Sequence, residues 1–130
     1  MSNIVIDTNI IIYYIQGQKK AIDVLNRLQK KSIKMYISVI TELELFAYIK
    51  MSESEKNNIN EILDLVEIVT VDTKIARTAG FLKRQNKRLD IADILIAATA
   101  KELDIPLLTN NIRDFQSLKG INVLSYKDFN

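Results

Sequence analysis

Short β-branched runs that alternate with helical stretches predict an α/β fold: a three-layer α/β/α sandwich around a central, mostly parallel five-stranded sheet. Three observations carry this reading. The apolar runs are only three to five residues long and continuous, as in strands buried on both faces. The stretches between them carry apolar residues at helical spacing. Three glycines and one proline in 130 residues leave no linker, repeat or low-complexity tract, so residues 1–130 are expected to form one domain.

Residues 4–6 (IVI) follow a polar start and read as the first strand. Residues 10–15 begin a helix that ends near Gly17. From 19 to 31, Ala21, Val24, Leu25 and Leu28 form one apolar face. Lys34–Ser38 (KMYIS) is a second strand. Helical spacing returns at Val39, Leu43, Phe46 and Ala47, which are expected to be the buried stripe of the next helix. A further helix covers 53–65, with Ser52 as N-cap and Glu55 completing a capping box. Residues 67–71 (EIVTV) make a third strand, and Asp72 caps a helix to about residue 87, buried through Ile75, Ala79 and Leu82. Residues 90–103 are apolar on nearly every side, the mark of a central helix, and 107–109 and 122–124 supply the last two strands. In such sheets the functional crevice lies beyond the carboxyl ends of the strands.

Composition narrows the chemistry. The chain has no cysteine and no histidine. Disulfide frameworks, Cys- or His-ligated zinc, and Ser–His or Cys–His dyads are therefore excluded. Carboxylates, hydroxyls, Lys, Arg and Tyr remain, with or without metal. The polar Met-Ser-Asn start leads straight into a strand, so no secretory leader is expected. Residues 94–100 are far too few to span a bilayer, and a cytoplasmic protein is expected. A net charge of +2 does not by itself argue for nucleic-acid binding.

Three acids stand where the chain turns into a helix. Asp7 follows the first strand directly. Glu42 lies a turn into the helix after the second strand. Asp93 lies three residues after Asp90, inside an apolar helix. Each has a structural alternative, as an N-cap, a dipole partner or a capping-box acid, and Asp90 reads as a cap. Gathered at one crevice, three carboxylates repel and raise a pKa unless a cation neutralises them. Hard oxygen ligands suit Mg²⁺ or Mn²⁺. A metal-loaded acidic crevice suits phosphodiester hydrolysis, one ion activating water and the other stabilising the leaving oxygen. Thr8, Asn9 and Thr109 are supporting candidates that orient a carboxylate or a bound water, with helix capping as the alternative for Thr8 and Asn9. The stretch Lys83, Arg84, Lys87 and Arg88 runs into the Asp90–Asp93 motif and is expected to track substrate phosphates, with a solvated helix face as the alternative.

With these motifs in place, the chain resembles the PIN-domain family, and within it the VapC-like toxins of prokaryotic toxin–antitoxin pairs. VIDTNIIIYY resembles the family's opening strand with Asp7 as first acid. ISVITELELF resembles the second motif with Glu42 as its acid. DILIAATAKELDIPLLTNN resembles the third and fourth, with Asp93 as third acid and LLTNN as the last strand end. The match spans essentially the whole chain. The resemblance implies a Mg²⁺- or Mn²⁺-dependent endoribonuclease that leaves a 5′-phosphate, an antitoxin partner that blocks the crevice, and a homodimer or toxin–antitoxin hetero-oligomer. Many members carry a fourth acid where this chain has Asn111. Asn111 ligates through its carbonyl oxygen, or Asp114 supplies the missing carboxylate, and both stay open. Alternatives outside this role are an RNA-processing PIN nuclease and a non-catalytic RNA- or protein-binding PIN module. A receiver-like phosphoacceptor would need paired acids after the first strand, where this chain has Asp7 alone, and a dinucleotide-binding fold would need a Gly-rich turn there, which this chain lacks.

Overall fold

A computed structural model describes residues 1–48 and 51–129 of the chain. The elements in order are β1 (Asn3–Ile6), α1 (Thr8–Ile15), α2 (Lys19–Lys30), β2 (Lys34–Ser38), α3 (Val39–Phe46), α4 (Glu53–Leu65), β3 (Val66–Val69), α5 (Thr73–Gln85), α6 (Ile91–Leu103), β4 (Leu107–Leu108), α7 (Ile112–Phe115) and β5 (Val123–Leu124), followed by a 3-10 turn at Tyr126–Phe129. The strands form one sheet in the order β3-β2-β1-β4-β5. Every pairing is parallel, with Val5 opposite both Tyr36 and Leu107.

Strand alternation builds the three layers. Ile4 and Ile6 of β1, with Met35 and Ile37 of β2, pack into one core with Ile10, Ile11, Leu25, Leu28, Ile59 and Ile62 from α1, α2 and α4. Val5 and Leu107 point the other way, into a second core with Ile75, Ala79 and Leu82 of α5 and Ile94, Ala97 and Ala98 of α6. Ile4, Val5 and Ile6 of β1 are fully buried because both faces carry helices, and this explains their uninterrupted apolar run.

Local chemistry sets the element ends. Ser52 and Glu55 make a full capping box at α4, and the Asp72 carboxylate accepts from Ile75 N at α5. The helix α1 stops where Gly17 adopts φ +79°, a left-handed turn whose N–H reaches back to Tyr14 O. Asp90 occupies the N-cap position of α6, but its side chain makes no capping bond.

One expected face is reversed. Leu43 and Phe46 of α3 are 63% and 64% exposed, while Thr41 and Leu45 are buried. The helix therefore presents Leu43 and Phe46 outward, leaves Val39 half-buried and turns a threonine into the interior. Thr41 can be buried because its hydroxyl finds a partner, described below. Among the described residues, no helix is long and apolar enough to cross a membrane.

Candidate active site

The carboxyl ends of β1 and β4 deliver the first two groups. Asp7 directly follows β1 and is 3% exposed. Its Oδ1 accepts from Thr8 N at 2.8 Å, and its Oδ2 accepts from Thr109 Oγ1 at 2.7 Å. Thr109 is fully buried at the end of β4, and its hydroxyl also accepts from Asn111 N at 2.9 Å. Asp7 is thus at once the cap of α1 and a carboxylate clamped between two strands. Burial lifts its carboxyl above the ordinary 3.8, and the Glu44 charge adds to this. The bonds from Thr109 and the Thr8 backbone oppose the rise.

The glutamate that joins this cluster is Glu44, and the expectation for Glu42 is corrected here. Thr8 Oγ1 donates to Glu44 Oε1 at 2.7 Å and lies 2.8 Å from Thr41 Oγ1. A hydroxyl has one proton, so Thr41 donates to Thr8 and Thr8 donates to Glu44. Thr41 and Glu44 are three residues apart and share a helix face. Glu42 and Glu44 lie about 200° apart around α3, on opposite flanks of the buried Thr41–Leu45 ridge. Glu42 makes no hydrogen bond or ion pair among the described residues. Taking the Leu43–Phe46 stripe as buried assigned the wrong flank to the crevice. The Thr41–Glu44 spacing was the available signal for the right one.

Asp93 lies in the first turn of α6 and makes no capping box with Asp90. Its carboxyl is pushed up to about 6, by burial first and then by the charges of Asp7, Asp90, Glu44 and Asp114. These contributors locate the centre of negative charge. The fourth corner combines both sequence candidates: Asn111 stands just before α7, Asp114 lies within it, and the Asn111 Nδ2 donates to Asp114 Oδ2. The amide orients the carboxylate, and the carboxylate faces Asp93 electrostatically. Asn9 does not cap α1, since Asp7 does. Its Oδ1 accepts weakly from Asn110 N at 3.4 Å, linking the starts of the two loops.

The donor set fits a hard divalent cation. Four carboxylates surround one crevice, and among the described residues no lysine or arginine forms an ion pair with any of them. Asp7 is buried, Glu44 and Asp93 are half-buried and Asp114 is exposed, and a gathering of like charges of this kind favours a cation. Among the described residues, no three of these carboxylates converge on one ligating point. The hydroxyls of Thr8 and Thr109 hold Glu44 and Asp7 around the rim.

The basic stretch before α6 divides. Lys83 Nζ donates to Lys87 O at 2.9 Å and to Leu89 O at 2.5 Å, so this ammonium is a loop staple and not a free phosphate ligand. Arg84 lies over the Phe81 ring, 5.7 Å from its centroid. Lys87 and Arg88 remain exposed on the loop that leads to Asp90 and Asp93.

Comparison with known proteins agrees with this architecture. The PIN-domain model matches residues 4–121. Ribonuclease VapC2 of Haemophilus influenzae is 33% identical over 123 residues, covering 89% of this chain and 92% of that protein. The DNA-bound VapBC structure from Salmonella typhimurium superposes with TM-score 0.81 at 25% identity, covering 97% and 99% of the two chains. A toxin–antitoxin complex from Klebsiella pneumoniae gives TM-score 0.77 at 28% identity over 94% and 96%. The parallel sheet with the acids at its carboxyl edge and the match across nearly the whole chain lead to one assignment: this chain belongs to the PIN-domain family, among its VapC ribonucleases.

Proposed function

We propose that the chain is a divalent-metal-dependent endoribonuclease that serves as the toxin of a toxin–antitoxin pair. The observation that carries this reading is the acid crevice itself. Asp7, Glu44, Asp93 and Asp114 share one electrostatic centre that has no protein counter-cation among the described residues. Membership in a family of named ribonucleases supplies the substrate class.

Asp7 and Asp93 are the residues that would hold Mg²⁺ or Mn²⁺, with Glu44 and Asp114 beside them. A bound ion supplies Lewis acidity toward a phosphodiester and offsets the repulsion among the acids. The chain's own groups do the positioning. Thr109 fixes one oxygen of Asp7, and the Thr8 N–H fixes the other, so the carboxylate has one orientation. The Thr41–Thr8–Glu44 relay does the same for Glu44. Asp93, pushed up to about 6 by burial and by its neighbouring acids, is the carboxylate whose ionised form would gain most from a bound cation. Lys87 and Arg88 stand at the mouth to meet phosphates.

The solved relative from Klebsiella pneumoniae is a toxin–antitoxin complex, and the outward apolar stripe of Leu43 and Phe46 suits a protein partner here. A cytoplasmic setting follows from an RNA target.

The test is cleavage of structured RNA by purified protein with Mg²⁺ or Mn²⁺, comparing the wild type with Asp93→Asn. Loss of orders of magnitude in rate is expected. Equal activity in both would sink the mechanism.

A further inference from the structure

The acid crevice repels the very polymer it is proposed to cut, and its rim acids hold no lysine or arginine among the described residues. Grip on a polyanion must therefore come from cations placed to one side. The concavity that meets this need lies between α2 and the 3-10 turn. It is a cavity of about 310 Å³ lined by the charged Lys20, Asp23, Arg27 and Lys127 and by Val24, Tyr126 and Phe129. Three cations against one acid leave a surplus of two positive charges. The volume is at the lower end for ligand pockets, about 300–1,000 Å³.

We propose that this cavity is a phosphate-and-base subsite for the RNA strand, flanking the crevice. The proposal rests on the ribonuclease reading above and adds where the substrate is held.

Placement supports it. Tyr126 follows the carboxyl end of β5, and β5 continues the edge that carries Asp7 and Thr109, since Thr109 N donates to Leu124 O at 3.0 Å. Helix α1 connects the two places: it starts at Asp7 and carries Tyr13 about 9 Å further along its axis. Burial first, and then the neighbouring Tyr13, raise the Tyr126 phenol above its ordinary 10. The phenol is a hydrogen-bond donor at neutral pH, and its ring, packed in part against the first core, lines the cavity. Aromatic faces interleaved with cations are how single-stranded RNA is held without base readout.

The cations are also available. Arg27 spends one N–H on the Phe129 carbonyl, which fixes the guanidinium beside the cavity and leaves its other donors for a ligand. The side chains of Lys20 and Lys127 make no ion pair or hydrogen bond among the described residues. An acidic peptide segment is the competing occupant. A phosphate–base unit fits better, because the cavity offers an aromatic face as well as charge.

The experiment uses the full chain carrying Asp93→Asn, so that RNA is bound and not cut. Binding of a fluorescein-labelled single-stranded RNA is followed by anisotropy at several KCl concentrations. Lys20→Gln with Lys127→Gln is expected to weaken binding about tenfold and to flatten the log–log salt slope by about 1.4, or about 0.7 for each phosphate that is no longer neutralised. Lys30→Gln with Lys31→Gln, the same charge change at the far end of α2, should shift affinity no more than about threefold. Equal weakening by both pairs overturns the proposal, because it would reflect net charge alone. Unchanged RNA affinity in the Lys20/Lys127 pair, or loss of binding only to an acidic peptide of matched charge, also overturns it while leaving the ribonuclease reading intact. If the wild type does not cleave RNA and Asp93→Asn does not bind it, both readings fall. Unchanged thermal melting of the variants shows that the fold is retained.

Discussion

Replacing Asp93 by asparagine should stabilise the metal-free protein at neutral pH while it removes activity. In the fold the Asp93 carboxyl is pushed from 3.8 up to about 6, by burial and then by four neighbouring acids. A folded-state value above the unfolded one means that the folded protein binds the proton more tightly. That contribution is complete below about pH 4 and is lost as pH rises through about 6. A rise of about two units is worth at most about 3 kcal/mol. Asp93 is only partly buried, and solvent screening reduces this to about 1 kcal/mol. Against it stands the favourable interaction of an acid with the first turn of α6, about 0.3–0.5 kcal/mol. Asparagine should therefore gain about 0.5–0.7 kcal/mol at pH 7.5 and almost nothing at pH 4, where the wild-type side chain is protonated. In melting temperature that is about 2–4 °C for a chain of this size. The assay is thermal unfolding in EDTA from pH 4 to 8. A gap that does not grow with pH, or a less stable variant at pH 7.5, would refute the reasoning. Added Mn²⁺ should reverse the order, because it stabilises only the chain with the intact acid set.

Other outcomes follow from the same geometry. Glu44→Gln should cut RNA cleavage by about two orders of magnitude, whereas Glu42→Gln on the opposite flank of α3 should stay within about threefold; the reverse ranking in a cleavage assay would return Glu42 to the site. Thr109→Val removes a buried hydroxyl that serves both Asp7 and Asn111 N, and chemical denaturation should show a loss of about 1–3 kcal/mol. Lys83→Met should lower stability by about 1 kcal/mol and leave the salt dependence of RNA binding unchanged, since its ammonium already serves two carbonyls. Lys87→Glu with Arg88→Glu should weaken RNA binding severalfold in the same anisotropy titration.

Much of this protein is written locally. The alternation of β-branched runs with helical periods determines a parallel sheet covered on both faces, because only a strand buried on both sides tolerates a sequence like IVI. Capping is local too, so Ser52, Glu55 and Asp72 were legible from spacing alone. The same holds for Asp7 and Asp93, each of which stands at a helix start beyond the sheet's carboxyl edge. Two short elements, α7 and the 3-10 turn at Tyr126–Phe129, left no periodic signal because each is a single turn.

Tertiary structure decided what periodicity leaves degenerate. In VITELELF, apolar side chains occupy both faces of α3, so hydrophobicity does not say which face turns inward. The answer depends on a hydroxyl in another element: Thr8 gives Thr41 a buried partner, and that pins the rotation of the helix and brings Glu44 to the crevice. Lys83 likewise looks like any surface lysine until the loop folds back and offers it two carbonyls. Asn111 and Asp114 were competing candidates only in one dimension; across α7 they form one hydrogen-bonded pair. Acids at the strand ends, in a chain without histidine or cysteine, are legible from residue order alone. Packing of α3 against α1 and α6 decided which acids they are, because side-chain direction around a helix is set by what the helix touches.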